Sequence, residues 1–293
     1  MSTTPTTVAK QPQAAVAGFR EILVPTDLSD HSDAALEQAA ILAGRFGGRI
    51  TLYHALEFPD HEYGHWAFGE RPCVWDEQER LAHDHLADCA EALAVPHETL
   101  VERTASPMRA LLSRIASTMP DLTVMATQGR GALAHLLLGS VAEQVVGHTQ
   151  WPVLCVRGSE PIDRGLARRI VLDTDCSDIS RPGLHMATLL ARTFGGELIV
   201  VCAGGAVSSP RVRLDHDEPW RPYTAAERWL APLPPDLTIR VVVDPAPTLK
   251  AMLRIASEER AGIVITARGA HGRGADGEAA RLVRHAHCPV LVV

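Results

Sequence analysis

A glycine-rich segment that follows a predicted strand contains the residue types of a phosphate-binding loop. Gly129 allows the backbone to turn sharply, and successive backbone N–H groups in such a loop form a concave anion site. Gly139 and Ser140 open a predicted helix, whose free N–H groups and dipole favour phosphate. Arg130 adds charge-assisted hydrogen bonds. The same residues fit a glycine-rich turn before a capped helix without any ligand, and their spacing alone favours neither interpretation.

Asp27 supplies a second chemical feature, because it directly follows the first predicted strand. A carboxylate repels phosphate, so Asp27 is better suited to accept a hydrogen bond from an exocyclic amine or a sugar hydroxyl. Ligands of open α/β sheets bind beyond the carboxyl ends of the strands, where the strand order reverses. Together these residues suggest a nucleotide with its base near Asp27 and its phosphates near Gly129 and Gly139.

Short β-branched runs alternate with helical patterns and would position these residues. The apolar spacing from Ala34 to Ala43 predicts a helix with Ser29 or Asp30 as its N-cap and Gly47 as its stop. Continuous hydrophobic strands with helices between them indicate a mostly parallel sheet that is covered on both faces. The predicted strands are 21–24, 49–54, 98–102, 122–125 and 153–156, and the further helices are about 75–93, 107–117 and 139–148.

The second half of the chain repeats the first. Residues 20–55 match residues 168–203, so that Thr26-Asp27 aligns with Thr174-Asp175. The second copy has predicted strands at 170–173, 197–202, 238–243, 263–266 and 290–293. We therefore predict a disordered tail at 1–18, a domain at 19–157, a linker at 158–168 and a second domain at 169–293.

The composition fits a globular protein that does not bind nucleic acid and does not span a membrane. The chain has 293 residues, which is enough for about two domains, and its net charge of −7 argues against a broad basic surface. No run approaches the roughly 20 apolar residues that span a bilayer, and the first 18 residues lack the apolar segment of a signal peptide. We expect a cytoplasmic protein. The cysteines form no Cys-x-x-Cys motif, and we expect Cys155, Cys202 and Cys288 to be reduced and buried.

The motifs of several enzyme classes are absent. The glycine-rich segment lacks the Gly-Lys pair of a Walker A loop, and it follows the fourth strand rather than the first, unlike a dinucleotide fingerprint. No G-x-S-x-G nucleophile elbow occurs. The nearest histidine pairs, His61 with His65 and His83 with His85, lack a convincing metal-ligand arrangement. We predict no catalytic residue and no metal site.

Three runs in the first copy resemble the universal stress protein family: VPTDLSDHSDAAL, ATQGRGALAHLLLGSVAEQVV and WPVLCV. The resemblance covers both copies. It implies an α/β fold of two tandem flavodoxin-like, or Rossmann-like, domains. Each would have a five-stranded parallel sheet of order 3-2-1-4-5 with helices on both faces. The ATP-binding members of this family have the pattern G-x2-G-x9-G-(S/T), which Gly129, Gly139 and Ser140 match. Ala126 stands at the position of the first glycine and departs from the pattern, so a lower affinity is expected.

The resemblance also implies which residues line the nucleotide site. The residues expected beside the adenine and ribose are Pro25, Thr26, Asp27 and Ala55, and those expected beside the phosphates are Met125, Ala126, Gly129, Arg130, Gly139, Ser140 and Val141. The corresponding residues of the second copy are Asp175, Ala203, Gly269 and Gly272. That copy has a shorter loop and Asp276-Gly277-Glu278 in place of the Gly-Ser pair, so we expect it to bind ATP weakly or not at all.

Three functions are compatible with this pattern. The first is a stress-response protein that binds ATP in its first copy, with or without Mg²⁺, and that alters its binding to an unknown protein partner through a population shift. The second is a scaffold that acts without nucleotide, and the third is a slow ATPase, for which the sequence offers no general base beside the loop. Domains of this family commonly dimerise through their last strand, so we expect the two copies to pair within the chain, and a further homodimer is compatible with the same fold.

Overall fold

The computed structural model describes residues 18–57, 72–127, 139–157, 168–203, 226, 228–269 and 277–293. Residues 1–17 of the predicted tail (1–18) and residues 158–167 of the predicted linker (158–168) lie outside these ranges. The first copy contains five strands and four helices among its described residues. They are β1 (Glu21–Pro25), α1 (Asp30–Phe46), β2 (Arg49–Glu57), α2 (Pro72–Glu91), β3 (His97–Thr104), α3 (Pro107–Thr118), β4 (Leu122–Ala126), α4 (Ser140–His148) and β5 (Val153–Val156).

The second copy repeats this order over its described residues, apart from the region between its second and third strands. Its elements are β6 (Arg169–Asp173), α5 (Arg181–Phe194), β7 (Glu197–Ala203), β8 (Ile239–Asp244), α6 (Thr248–Glu258), β9 (Ile263–Thr266), α7 (Glu278–His285) and β10 (Val290–Val292). A single 3₁₀ turn at Asp178–Ser180 precedes α5.

Each copy forms a parallel sheet of order 3-2-1-4-5, as predicted. In the first copy β1 lies between β2 and β4, and in the second copy β6 lies between β7 and β9. The ten predicted strands all exist, with ends that differ from the predicted ends by a few residues at most. Because helices cover both faces, the central strands are buried along nearly their whole length, which is why they appear in the sequence as continuous apolar runs.

The first helix of each copy ends in the same way. Gly47 follows α1 with φ of 61°, and Gly195 follows α5 with φ of 67°. Both glycines adopt the left-handed conformation that ends a helix, and the N–H of each donates to a carbonyl of the last turn. Ser29 is the N-cap of α1 by position, but its hydroxyl donates to Asp27 and makes no capping hydrogen bond.

The two copies are joined by an antiparallel pair of strands. Val153, Leu154 and Cys155 of β5 lie opposite Val292, Leu291 and Val290 of β10. The result is one continuous ten-stranded sheet, in the order β3-β2-β1-β4-β5-β10-β9-β6-β7-β8, rather than two separate five-stranded sheets. The copies therefore pair through their last strands, as expected. Since this pairing occupies β5 and β10, a homodimer of the chain would need another surface.

Arginines add polar contacts across this junction. Arg157 donates from Nη1 to the carbonyl oxygens of Arg284 and Ala286, at 3.1 and 3.2 Å, at the end of α7. Arg268 donates from Nε to the carbonyl oxygen of Val146 at 3.3 Å, near the end of α4. A cation at a helix C-terminus is favourable because it meets the negative end of the helix dipole. Arginines from both copies thus contact the last helix of the opposite copy.

The Arg268 guanidinium is also unusual in its environment. Its two Nη atoms are buried and have no hydrogen-bond partner in the part of the chain that the structure describes. Burial lowers the pKa of Arg268 to about 10, because the apolar surroundings disfavour the charged form. Burial of the Arg268 charge is therefore unfavourable, whereas burial of its aliphatic stem and the hydrogen bond of its Nε are favourable.

None of the described helices is long and apolar enough to cross a membrane.

Replacing Arg268 by methionine should leave the free energy of unfolding unchanged or raise it by about 1 kcal/mol, because a buried charge is exchanged for an apolar chain of similar length. Arg268→Ala, the control, removes the stem as well and should lower the free energy of unfolding by about 2 kcal/mol. Urea denaturation followed by circular dichroism measures both values. A loss above about 2 kcal/mol in Arg268→Met would contradict the prediction and indicate a strong partner for the guanidinium.

Candidate functional site

The site lies where the strand order of the first copy reverses, between β1 and β4. These two strands pair directly, and the next neighbours of each lie on opposite sides. The chain leaves β1 through Thr26, whose N–H donates to the carbonyl oxygen of Tyr53, and leaves β4 through Thr127, whose N–H donates to that of Val156. The turn after β1 and the segment after β4 therefore emerge at one edge of the sheet, which is where α/β proteins bind ligands.

Asp27 organises the turn between β1 and α1. Its Oδ1 accepts hydrogen bonds from the Ser29 backbone N–H at 3.2 Å, the Ser29 hydroxyl at 2.5 Å and the Ser32 hydroxyl at 2.9 Å. A carboxylate that accepts the N–H two residues later forms an Asx turn, which substitutes for backbone hydrogen bonding. The structure thus gives Asp27 a structural role that the sequence analysis did not assign, and it fixes the orientation of the carboxylate at the edge of the sheet.

Two further contacts hold this turn. Leu28 has φ of 60°, a left-handed conformation that is uncommon for a residue other than glycine, and its N–H donates to the Thr26 hydroxyl at 3.0 Å. His54 Nδ1 lies 2.9 Å from the carbonyl oxygen of Thr26, so this nitrogen carries the proton, since a carbonyl can only accept. His54 is hydrogen-bonded and half-buried, and we assign it a positioning role.

The N-terminus of α4 lies beside the end of β4. The N–H of Gly139 donates to the carbonyl oxygen of Thr127 at 2.7 Å, which joins the two ends of the glycine-rich segment. A Cβ on Gly139 would stand 3.3 Å from that oxygen, so a larger residue has little room there. Among the described residues no side chain caps α4, and Ser140 is exposed at its first position. The first N–H groups of a helix have no partner within the helix, and together with the helix dipole they favour an anion.

The structure brings most of the predicted site residues to this edge. Pro25 and Ala126 end β1 and β4, and Ala55 lies on the part of β2 that extends beyond the end of β1. Met125 is buried among apolar residues, so only its backbone can face a ligand. The turn after β1 contains Thr26 and Asp27. The start of α4 contains Gly139, Ser140 and Val141. Gly129 and Arg130 lie outside the described residues.

The second copy repeats the turn but differs in the residues at the ends of its first and fourth strands. Asp175 Oδ1 accepts from the Ser177 N–H at 3.0 Å and from the Ser180 hydroxyl at 2.7 Å, like its counterpart in the first copy. However, the strand pairing puts the buried Asp173 and Thr266 where the first copy has Pro25 and Met125. The Thr266 hydroxyl donates to Asp173 Oδ2 at 2.9 Å, between β9 and β6. This polar contact crosses the point at which the strand order reverses.

The other predicted residues of the second copy also differ from those of a phosphate site. Glu278, the first residue of α7, accepts the N–H of Leu249 at 2.9 Å and so contacts the N-terminus of α6. Gly269 follows β9 with φ of 81°, and Ala203 ends β7. Gly272 lies outside the described residues. A carboxylate at the start of α7 disfavours phosphate there, which supports the prediction of weak or absent nucleotide binding.

The sequence analysis missed a pair of thiols in this copy. Cys176 and Cys202 have their sulfur atoms 3.4 Å apart, although 26 residues separate them in the chain. They occupy the positions of Leu28 and His54 in the first copy. The alignment of the two copies could have revealed them, because it places both cysteines beside the same turn.

The hydrogen bond between Thr266 and Asp173 can be tested with a matched pair of variants. Thr266→Val removes a hydroxyl on which a buried carboxyl depends, so the free energy of unfolding should fall by about 1–3 kcal/mol. Thr123 of β4 is also buried, but its hydroxyl has no partner among the described residues. Thr123→Val should therefore be neutral or stabilising in the same urea denaturation experiment. Equal losses in the two variants would show that the hydrogen bond contributes nothing.

Comparisons with known proteins agree with this architecture. The model of the universal stress protein family matches residues 18–157 and 167–293. A universal stress protein of Thermus aquaticus is 35% identical over 143 residues, which are 47% of this chain and 99% of that protein. A universal stress protein of Mycolicibacterium smegmatis is 26% identical over 296 residues, which are 93% of this chain and 96% of that protein.

A solved structure of a universal stress protein from Archaeoglobus fulgidus has the same fold over nearly the whole length. It superposes with a TM-score of 0.69 at 20% sequence identity, and it covers 92% of this chain and 94% of its own. The two family matches correspond to the two halves of the ten-stranded sheet. The chain therefore belongs to the universal stress protein family and contains the family's flavodoxin-like domain twice.

Proposed function

We propose that the first copy binds ATP, or a closely related adenine nucleotide, and that the chain acts as a nucleotide-dependent regulatory protein in a stress response. The observation that carries this proposal is the convergence of the Asp27 turn and the N-terminus of α4, which no described side chain caps, on one edge of the sheet. The Asp27 turn follows β1, whereas the N-terminus of α4 lies beside the end of β4. The Asp27 carboxylate disfavours a negatively charged group, and the helix N-terminus favours one.

The residues at this edge fit the parts of a nucleotide. The N–H groups at the start of α4 and the Ser140 hydroxyl would bind phosphate oxygens, since both donate hydrogen bonds and the helix dipole favours negative charge. Asp27, Thr26 and Ala55 would lie beside the ribose and the base. The Asp27 carboxylate would thus lie away from the phosphates, which it would repel at close range. No protein ligand for Mg²⁺ is proposed.

The regulatory part of the proposal follows from the position of the site. Binding would connect the turn after β1 with the start of α4, and α4 contacts the second copy through the ion pair of Glu143 with Arg284 at 2.7 Å. A ligand that favours one arrangement of these elements shifts the population toward it, and a partner that recognises this arrangement then binds more tightly.

Calorimetric titration of the full chain with ATP should show one ATP bound per chain. Gly139→Trp should weaken this binding at least tenfold, about 1.4 kcal/mol, because the indole would occupy the tight space at the start of α4. Gly277→Trp is the matched control, since Gly277 precedes α7 with similar backbone angles. Binding should persist there, with circular dichroism confirming that both variants are folded.

Two results would overturn the proposal. No binding at millimolar ATP would leave a scaffold that acts without nucleotide, and loss of binding in Gly277→Trp alone would place the site in the second copy.

Ala126→Gly should tighten ATP binding severalfold relative to the unaltered chain. This change restores the glycine of the family pattern and removes a methyl group where the backbone would approach the ligand. The same calorimetric titration measures the effect. An unchanged or weaker affinity would show that the methyl group at Ala126 does not contact the nucleotide.

A further inference from the structure

The second copy contains two thiols in direct contact at the edge of the sheet where the first copy has its candidate nucleotide site. The sulfur atoms of Cys176 and Cys202 are 3.4 Å apart, and neither residue is in a disulfide. Cys176 lies in the turn after β6 and is half-buried, whereas Cys202 lies on β7 and is 4% exposed. The backbone joins the two segments through the Thr174 N–H, which donates to the carbonyl oxygen of Val201 at 3.1 Å.

The geometry permits a covalent bond between these sulfurs. A disulfide needs a separation of about 2.05 Å, so the sulfurs must approach by somewhat more than 1 Å, which is within the reach of side-chain rotation. The backbone of Cys176 has φ of 57°, and its N–H donates to the Thr174 hydroxyl at 2.9 Å. The turn therefore holds Cys176 over β7 in a conformation that residues other than glycine rarely adopt.

The two thiols differ in their acidity. The hydrogen bond with Cys202 lowers the pKa of the Cys176 thiol, although burial and the charge of Asp175 oppose this effect. The same hydrogen bond, together with burial, raises the pKa of the Cys202 thiol. Since the thiolate is the reactive form, the lowered pKa and the partial exposure of Cys176 both favour this sulfur over that of Cys202 for attack on a small oxidant.

The other described cysteines do not share these properties. Cys155 and Cys288 are buried, and burial raises the pKa of each thiol to about 12. Cys89 is half-buried on α2, and burial also raises the pKa of its thiol. Cys176 is thus distinguished by a neighbouring thiol and by a lowered pKa among the described cysteines.

We propose that Cys176 and Cys202 form an oxidation site at which a hydroperoxide generates an intramolecular disulfide. In the first step the Cys176 thiolate attacks the outer oxygen of the hydroperoxide, so that an S–O bond forms while the O–O bond breaks. The leaving oxygen takes the proton that the Cys176 thiol gave up and departs as an alcohol or water, and Cys176 becomes a sulfenic acid. In the second step the Cys202 sulfur attacks the Cys176 sulfur, an S–S bond forms while the S–O bond breaks, and the hydroxide leaves as water with the Cys202 proton. Two thiols and one hydroperoxide give one disulfide, one water and one alcohol or second water.

This site is independent of the proposed nucleotide function. It lies in the second copy, and the corresponding residues of the first copy, Leu28 and His54, contain no thiol. Oxidation would link the turn that contains Asp175 to β7, so the second copy would respond to an oxidant while the first responds to a nucleotide.

The experiment treats the reduced full chain with one equivalent of hydrogen peroxide, blocks the remaining thiols with iodoacetamide and digests with trypsin without reduction. Because the Arg181–Pro182 bond resists trypsin, the two cysteines fall in the peptides 170–192 and 193–211, each with a single cysteine. The expected product is a disulfide-linked pair of these peptides, with a loss of two of the chain's six thiols.

Three variants assign the roles. Cys202→Ser should accumulate a sulfenic acid on Cys176, trapped as a dimedone adduct, because no resolving thiol remains. Cys176→Ser should lose the disulfide and leave Cys202 unreacted. The control Cys89→Ser should form the disulfide as the unaltered chain does, and circular dichroism checks that all variants are folded. The proposal is overturned if both peptides remain separate and alkylated, or if another cysteine reacts first.

Discussion

The antiparallel hydrogen bonds between β5 and β10 are the contact on which the architecture depends. A five-stranded parallel sheet leaves its last strand with unpaired N–H and C=O groups, and such an edge is prone to uncontrolled pairing. In this chain the last strand of each copy covers the last strand of the other, and Leu154 and Leu291 are each only 1% exposed. The duplication therefore covers the last strand of each copy within one chain. The last strand of a single copy would stay uncovered unless it associated with another chain.

The same pairing fixes where the two candidate sites lie. Because β5 and β10 are antiparallel, the carboxyl ends of the strands in the two copies point in opposite directions within one sheet. The Asp27 turn and the Asp175 turn are thus at opposite ends of the strands. The proposed nucleotide site of the first copy and the thiol pair of the second copy are therefore far apart along the strands.

The two copies share the structure of the turn and differ in the residues around it. In each, an aspartate accepts a backbone N–H and a serine hydroxyl, and the next residue has positive φ. These contacts are internal and stabilise the turn whether or not a ligand binds. The residues around the turn have changed: the buried Asp173 and Thr266 are hydrogen-bonded between β6 and β9, and Cys176 and Cys202 contact one another beside the turn. The shared turn is consequently a scaffold, and the residues around it decide the chemistry.

The sequence by itself determined the elements of this protein, their order and their duplication, because apolar periodicity and glycine stops are local properties of the chain. The strands, the left-handed Gly47 and the pairing of the copies were all predictable from these patterns and from the family resemblance. Only the tertiary structure decided which side chains meet across strands. The structural role of Asp27, the contact of Thr266 with Asp173 and the pairing of Cys176 with Cys202 join residues from different segments. Their distances depend on strand register and turn geometry, which no spacing along the chain specifies.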